Sequence, residues 1–212
     1  MFKIIKNQKG QGLLEMMVAI GVISVGLFSV WALFLSNYNG EQEAGARVLA
    51  VNLAREGVEV VKNIRDTNWL HIENNEACGS SDPCLWDSGL VDLVGAGTGT
   101  IKNISLSDVY IDFNVENINN ELTKLYTDKI TGLYGHDNAG NSTRYRRMIK
   151  IQNICCIDSA PQDLKCDDFN FQFQSAVCPN LKVGLSVAST VNWTIEGRTR
   201  ELTVYNRLFN WK

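Results

Sequence analysis

The chain has 212 residues, room for one domain of roughly 150 residues plus an appendage. A hydrophobic content of 45% can build a core and excludes disorder along the whole length. The net charge of −3 excludes general attraction to a polyphosphate, and three prolines without a repeat period exclude collagen-like and solenoid architectures.

Residues 13–35, LLEMMVAIGVISVGLFSVWALFL, hold a single charge, Glu15. As a helix this stretch spans about 34 Å, enough to cross a hydrocarbon core of about 30 Å. A soluble helix of that length keeps a polar face, and this one has none, so a membrane span is predicted. Lys3, Lys6 and Lys9 precede it without an acid, whereas Glu41, Glu43 and Arg47 follow it. Positive charge stays cytoplasmic, which puts the N-terminus inside and residues 36–212 outside. An ordinary secretory signal fits less well. Its apolar run is only about 7–15 residues long, and Ala44-Gly45-Ala46, the nearest small-residue cleavage site, lies well beyond this one.

Lys9-Gly10-Gln11-Gly12-Leu13-Leu14-Glu15 opens the apolar run. It resembles the leader of type IV prepilins and type II secretion pseudopilins: a short basic leader, a glycine, then an apolar helix with Glu at the fifth mature position. With Gly10 as the last leader residue, Glu15 holds that position; Gly12 would put Met17 there. Leu13-Leu14-Glu15-Met16-Met17-Val18-Ala19-Ile20, with Gly26-Leu27 further on, looks most like V-type minor pilins and the I-type pseudopilin. The resemblance implies cleavage between Gly10 and Gln11 by prepilin peptidase and N-methylation of Gln11. It also implies filament assembly in which Glu15 pairs with the free amine of a neighbour's Gln11. The implied partners are other pilin subunits, the peptidase and an inner-membrane assembly platform. Three positions depart from the pattern. Gln11 stands where the family usually has Phe or Met, and Gly12 where it has Ser or Thr. Ala32 replaces the proline of many major pilins, which favours a straighter helix. Apart from the family, a carboxylate at mid-bilayer costs about 2.5–3.5 kcal/mol, and less near the interface. A place in the first helical turn would offset about 0.3–1 kcal/mol of this through the helix dipole.

Beyond the span, Ala46, Leu49, Ala50, Leu53, Gly57, Val60, Val61 and Ile64 recur at helical spacing. Arg47, Asn52, Arg55, Glu56, Glu59, Lys62 and Asp66 lie mainly around the other side. Glu43 with Arg47, and Lys62 with Asp66, are spaced for ion pairs. Ser36-Asn37-Tyr38-Asn39-Gly40 and then Gly45 separate the two apolar stretches. Each glycine costs a helix about 1 kcal/mol relative to Ala, so a melted or hinged stretch is expected there.

The remainder reads as strands and long loops. Residues 145–155 alternate Ile with Arg and Lys. Residues 181–195 and 199–209 alternate apolar with polar around Glu196-Gly197-Arg198, a hairpin signal. In the first of this pair Val187, Val191, Trp193 and Ile195 share a face with Ser189 between them; in the second, Leu202, Val204 and Leu208 share one. Residues 109–115 and Leu133-Tyr134 add further strand candidates. Gly95-Ala96-Gly97-Thr98-Gly99-Thr100 is flexible loop by composition and lacks the Lys-Ser or Lys-Thr of a phosphate loop. The expected fold is α+β, pilin-like: a long N-terminal helix, transmembrane then amphipathic, packed on a C-terminal antiparallel sheet. The expected parts are a basic leader at 1–10, a transmembrane helix half at 11–36 and an outer helix half at 37–70. A β-rich extracytoplasmic head with disulfide loops follows at 71–212.

All six cysteines fall in that head: Cys78, Cys84, Cys155, Cys156, Cys166 and Cys178. An oxidising compartment makes disulfides the leading assignment. Cys78 and Cys84 bracket a turn-prone Gly-Ser-Ser-Asp-Pro loop, which favours that bridge, and the adjacent Cys155 and Cys156 are left to Cys166 and Cys178 in an open order. No C-x-x-C pair exists and His71 and His136 stand alone as expected loop residues, so no metal and no cofactor is assigned. The sequons at Asn103, Asn141 and Asn192 are short enough to arise by chance. No G-x-S-x-G or H-E-x-x-H occurs, so no catalytic residue is assigned and the chain is read as structural, not as an enzyme. Two other functions stay open: a single-pass anchored adhesion or binding protein that never polymerises, and a DNA-uptake pseudopilin. The charge balance argues against nucleic acid. A local patch of Arg144, Arg146, Arg147 and Lys150 is read mainly as the solvated face of a strand. The expected localisation is a single-pass membrane protein, then a cell-surface filament.

Overall fold

A computed structural model describes residues 11–78, 83–91, 97–103, 109–113, 115–157, 171–174, 177–179 and 181–210. The chain divides into two compact units, Met1–Arg47 and Val48–Lys212.

One helix, α1 (Gln11–Asn74), supplies the described part of the first unit and enters the second. Ser36–Gly40 and Gly45 do not break it, contrary to the hinge expected there. Two isolated glycines without a proline only lower helix propensity, and hydrogen bonding propagates through them from good formers on either side. The helix also runs past residue 70. It stops where Asn75 turns left-handed (φ 57°), a backbone that Asn tolerates, and the Glu76 amide donates to His71 O at 2.8 Å. His71 is therefore a helix residue, not a loop residue.

The second unit is α+β: the outer part of α1 lies on an eight-stranded antiparallel sheet. Its strands are β1 (Thr98–Asn103), β2 (Val109–Asp112), β3 (Lys124–Thr127), β4 (Tyr134–Gly135), β5 (Asn141–Cys156), β6 (Phe171–Gln174), β7 (Lys182–Ile195) and β8 (Arg198–Phe209). The long strand β5 is the spine. One of its edges pairs with β7, which pairs with β8; the other edge carries β3, β1 and β6 in succession. The β7–β8 hairpin closes at Glu196 and Gly197 with φ of 49° and 75°, the two positive values that match the twist of the strands.

Period-two alternation makes the long strands. Tyr145, Arg147, Ile149, Ile151 and Asn153 of β5, and Leu185, Val187, Ser189, Val191 and Trp193 of β7, are buried toward α1. The core beneath the helix gathers Val58, Val61, Ile149, Ile151, Leu185, Val187 and Leu208, joined by Leu90. The expected stripe of α1 is buried at Ala46, Ala50, Leu53, Gly57 and Val61; Ala54 and Val58 join it, whereas Val60 at its edge is half-buried. Thr98-Gly99-Thr100 belongs to β1, not to a flexible loop. Gly99 lets β1 and β2 close up, since a Cβ there would collide with the Asp112 carbonyl. The short strands β3 and β6 were not anticipated; four residues are too few for periodicity to mark.

Gly57 sets the helix–sheet distance at one point. A Cβ at this position would overlap Ser189 Oγ and lie 2.9 Å from Ile149 Cδ1. Far along the helix, buried Asn68 donates to Trp86 O (3.2 Å) and Ser88 O (2.8 Å), which fastens the following loop. Asp87 of that loop pairs with Lys182, whose Nζ stands 5.4 Å from the Trp86 ring centre.

Candidate functional site: the apolar helix and its N-terminal signal

The first turns of α1 carry the candidate signal. Lys3, Lys6, Lys9 and Gly10 lie outside the described residues, and α1 begins at Gln11. Glu15 follows the first turn of the described helix, which holds no acid. Its carboxylate is exposed on the helix surface.

From Leu13 to Leu35 every large apolar side chain is exposed among the described residues. Two hydroxyls are hidden locally: Ser24 Oγ donates to Ile20 O at 2.7 Å and Ser29 Oγ to Val25 O at 2.9 Å. Back-bonding of this kind leaves no free donor facing the surroundings, which suits a hydrocarbon environment. The Trp31 and Phe34 rings stack at 6.1 Å, and Tyr38 follows one turn later. Aromatic residues at that end of an apolar run match an interfacial belt.

The disulfides lie in the second unit. Cys78 is joined to Cys84 with Cα atoms 4.9 Å apart, and Cys155 to Cys178 with Cα atoms 5.4 Å apart. Cys156 is disulfide-bonded too, and Cys166 lies outside the described residues.

The basic patch on β5 is split by the pleat. Arg147 is 2% exposed and turned toward α1, where Nη1 donates to Leu53 O at 3.2 Å and pairs with Glu56 at 3.3 Å. Burial pushes its pKa down, and Glu56 opposes that shift. Arg146 points to the other face, donates to Asn120 O and pairs with Glu121, each at 2.7 Å; this contact holds the Glu121 carboxyl below its ordinary pKa. Arg147 thus leaves the patch, whereas Arg144, Arg146 and Lys150 stay together on the outward face of β5, the solvated strand face expected for them. Parity along β5 carried the signal for Arg147, which is in step with Tyr145, Ile149 and Ile151. On α1, Lys62 pairs with Glu59 (3.6 Å) and Asp66 with Arg65 (2.7 Å), in place of the Lys62–Asp66 pair expected from spacing.

Residues 5–31 match the prokaryotic N-terminal methylation motif. Comparison with curated proteins gave no match, and comparison with solved structures gave none. The matched residues take in the glycine, Glu15 and most of the exposed apolar helix, so motif and physical span coincide. The motif points to a structural protein that is processed by prepilin peptidase and anchored in a membrane. The chain carries the prepilin signal of type IV pilin-like and pseudopilin-like proteins.

Proposed function

We propose that the protein is a structural subunit, a minor pilin or pseudopilin, of a type IV pilus-like or type II secretion-like filament. It is inserted with residues 1–10 cytoplasmic, cut between Gly10 and Gln11, and methylated on the new Gln11 amine. It is then drawn by the inner-membrane assembly platform into a filament with other pilin subunits. Glu15 serves as the assembly contact, accepting the amine of a neighbour's Gln11. The observation that carries this reading is the common register of four features: basic leader, glycine, Glu15 and exposed apolar helix, within the matched motif. The disulfides support an outward head, because such bonds persist in oxidising compartments.

The test is the mature N-terminus, read by mass spectrometry of membrane and sheared-filament fractions. A chain beginning at Gln11, with or without a methyl group, is expected in both. A chain beginning at Met1, or after Ala46, sinks the proposal and favours an anchored binding protein that never polymerises.

A further inference from the structure

A cavity of about 670 Å³ lies where the β3–β4 hairpin meets α1 and β5, within the range of about 300–1,000 Å³ typical of small-ligand sites. Glu56 and Val60 of α1 and Arg147 of β5 form one wall; Tyr126, Tyr134, Gly135 and His136 form the other. Gly135 keeps the space open. It is the register partner of Tyr126, so the side chain that would lie beside that ring is missing. Neither crowding nor backbone requires glycine there: a Cβ would meet only Asp137 N, at 4.0 Å, and the φ is not left-handed. The walls are fixed in advance. Tyr134 meets Tyr145 edge-on at 6.5 Å, Lys124 Nζ stands 5.9 Å from the Tyr126 ring centre, and His136 Nδ1 donates to Lys124 O at 3.2 Å. At the rim, Asp128 Oδ1 accepts from Ile130 N (2.8 Å), Thr131 N (2.7 Å) and Thr131 Oγ1 (2.9 Å). A preformed pocket loses little ordering entropy when it binds.

Arg147 sets the chemistry of the ligand. Its Nη1 is engaged by Leu53 O and Glu56, but its Nε is buried without a hydrogen-bond partner among the described residues. A buried donor of this kind requires an acceptor. Around it stand the carboxylates of Glu56, Glu121, Asp128 and Asp137, which accept and cannot donate. An anionic ligand would face four like charges. A cationic one would face the buried guanidinium and leave its donor unmet. A hydroxyl group satisfies both demands, because it donates and accepts. The two tyrosine rings carry negative faces, which favour the weakly positive C–H face of a saturated ring. A flat aromatic ligand would stack as well, but it brings few hydroxyl donors for the carboxylates.

We propose that this cavity binds a neutral sugar unit, with its ring against Tyr126 and Tyr134 and its hydroxyls shared between Arg147 and the surrounding carboxylates. The site lies wholly in the second unit and goes beyond the filament reading, whose failure would leave it intact.

The test uses the full chain in a detergent without a sugar headgroup. Saturation-transfer NMR is recorded with neutral methyl hexosides and their N-acetyl forms, and with N-acetylneuraminic acid and spermidine as charged probes. Transfer to at least one neutral sugar is expected, and none to either charged probe. The bound sugar is then compared with the same unit at the end of a longer oligosaccharide. Equal affinities point to a free sugar and tenfold tighter binding of the longer form to a surface glycan; both support the proposal. Gly135→Leu fills the open space beside Tyr126 and should weaken binding at least tenfold at unchanged Tm. Asp137→Asn, at an exposed position, keeps an oxygen for the Ala139 amide and removes the charge. It should weaken binding about fivefold, the effect of one charge-assisted hydrogen bond. Absence of transfer to every neutral sugar overturns the proposal, as does stronger transfer to a charged probe. Unchanged sugar binding in either variant that keeps the wild-type Tm places the sugar elsewhere and overturns it too.

Discussion

Arg147 on β5 reaches Glu56 on α1 across 3.3 Å, and the two share the helix–sheet boundary unequally: the arginine is 2% exposed and the glutamate side chain 48%. Nearly all of the burial cost falls on the cation. Removing only the carboxylate, as in Glu56→Ala, leaves a buried charge with Leu53 O as its remaining described partner. Because Glu56 is half-exposed, solvent already screens the pair, and the expected loss is about 1–2 kcal/mol. That corresponds to a fall in Tm of about 2–8 °C for a unit of this size. Arg147→Met removes charge and burial penalty together and should cost less than Glu56→Ala. Melting followed by tryptophan fluorescence in detergent gives both numbers; a larger loss for Arg147→Met would mean that packing, not charge, governs the site.

Gly57 and Ser189 make a second test of the same boundary. Gly57→Ala improves helix propensity by about 1 kcal/mol but drives a methyl into Ser189 Oγ. Overpacking of this kind costs about 1–3 kcal/mol, so net destabilisation is expected. Combining it with Ser189→Gly should recover most of the loss, a coupling that the double-mutant cycle reads directly. Additive effects would show that the helix simply shifts away.

For the disulfides, alkylation after denaturation without reductant should find no free thiol in the wild type. Cys84→Ser should expose one at Cys78, and Cys178→Ser one at Cys155, with Cys156 still bonded. The chain-entropy model gives about 2–3 kcal/mol for the short Cys78–Cys84 loop and slightly more for Cys155–Cys178. A freed Cys156 in Cys178→Ser would reverse the assignment of the adjacent pair.

Acid should loosen the β3–β4 turn before the rest of the head. The Asp128 carboxyl has a folded pKa below its ordinary value because the amides of Thr131 and Ile130 and the Thr131 hydroxyl bond its ionised form. Its stabilising effect is therefore complete above the ordinary Asp pKa and is lost as pH falls through the lower, folded value. Hydrogen exchange of the 128–133 segment should show protection falling over that window, and Asp128→Asn should flatten the profile. Unchanged protection in acid would mean that the backbone bonds alone hold the turn.

Glu15→Ala separates processing from assembly. Removing a charge from an apolar span makes insertion easier, and the leader with its glycine is untouched, so cleaved protein should accumulate normally. If Glu15 is the partner of a neighbour's amine, the orphaned cation costs several kcal/mol in a low-dielectric setting, and the variant should be depleted from sheared filaments. Equal filament-to-membrane ratios for variant and wild type would leave Glu15 as an interfacial acid without an assembly role.

The span at 13–35, its basic N-terminal flank, the prepilin signal and the β7–β8 hairpin were all legible in the sequence by itself. Each depends on order, period or local turn chemistry along one dimension: an uninterrupted apolar run, a glycine and glutamate in register, alternation on either side of Glu196-Gly197. The four-residue strands β3 and β6 were not, because their pairing with β5 supplies the order that their length cannot. Tertiary structure alone decided the edge of the buried stripe of α1, since Val58 and Val60 are equally apolar and only the position of Leu185 and Val187 beneath the helix selects Val58. It also turned Gly57 from a weak helix residue into a close contact with Ser189, and it sent Arg146 and Arg147 to opposite faces of one strand. One member of the apparent basic patch, Arg147, became an ion pair beneath the helix, while Arg144, Arg146 and Lys150 kept the outward face. Period can say that neighbouring strand residues diverge, but the helix packed against the sheet determines which of the two is buried.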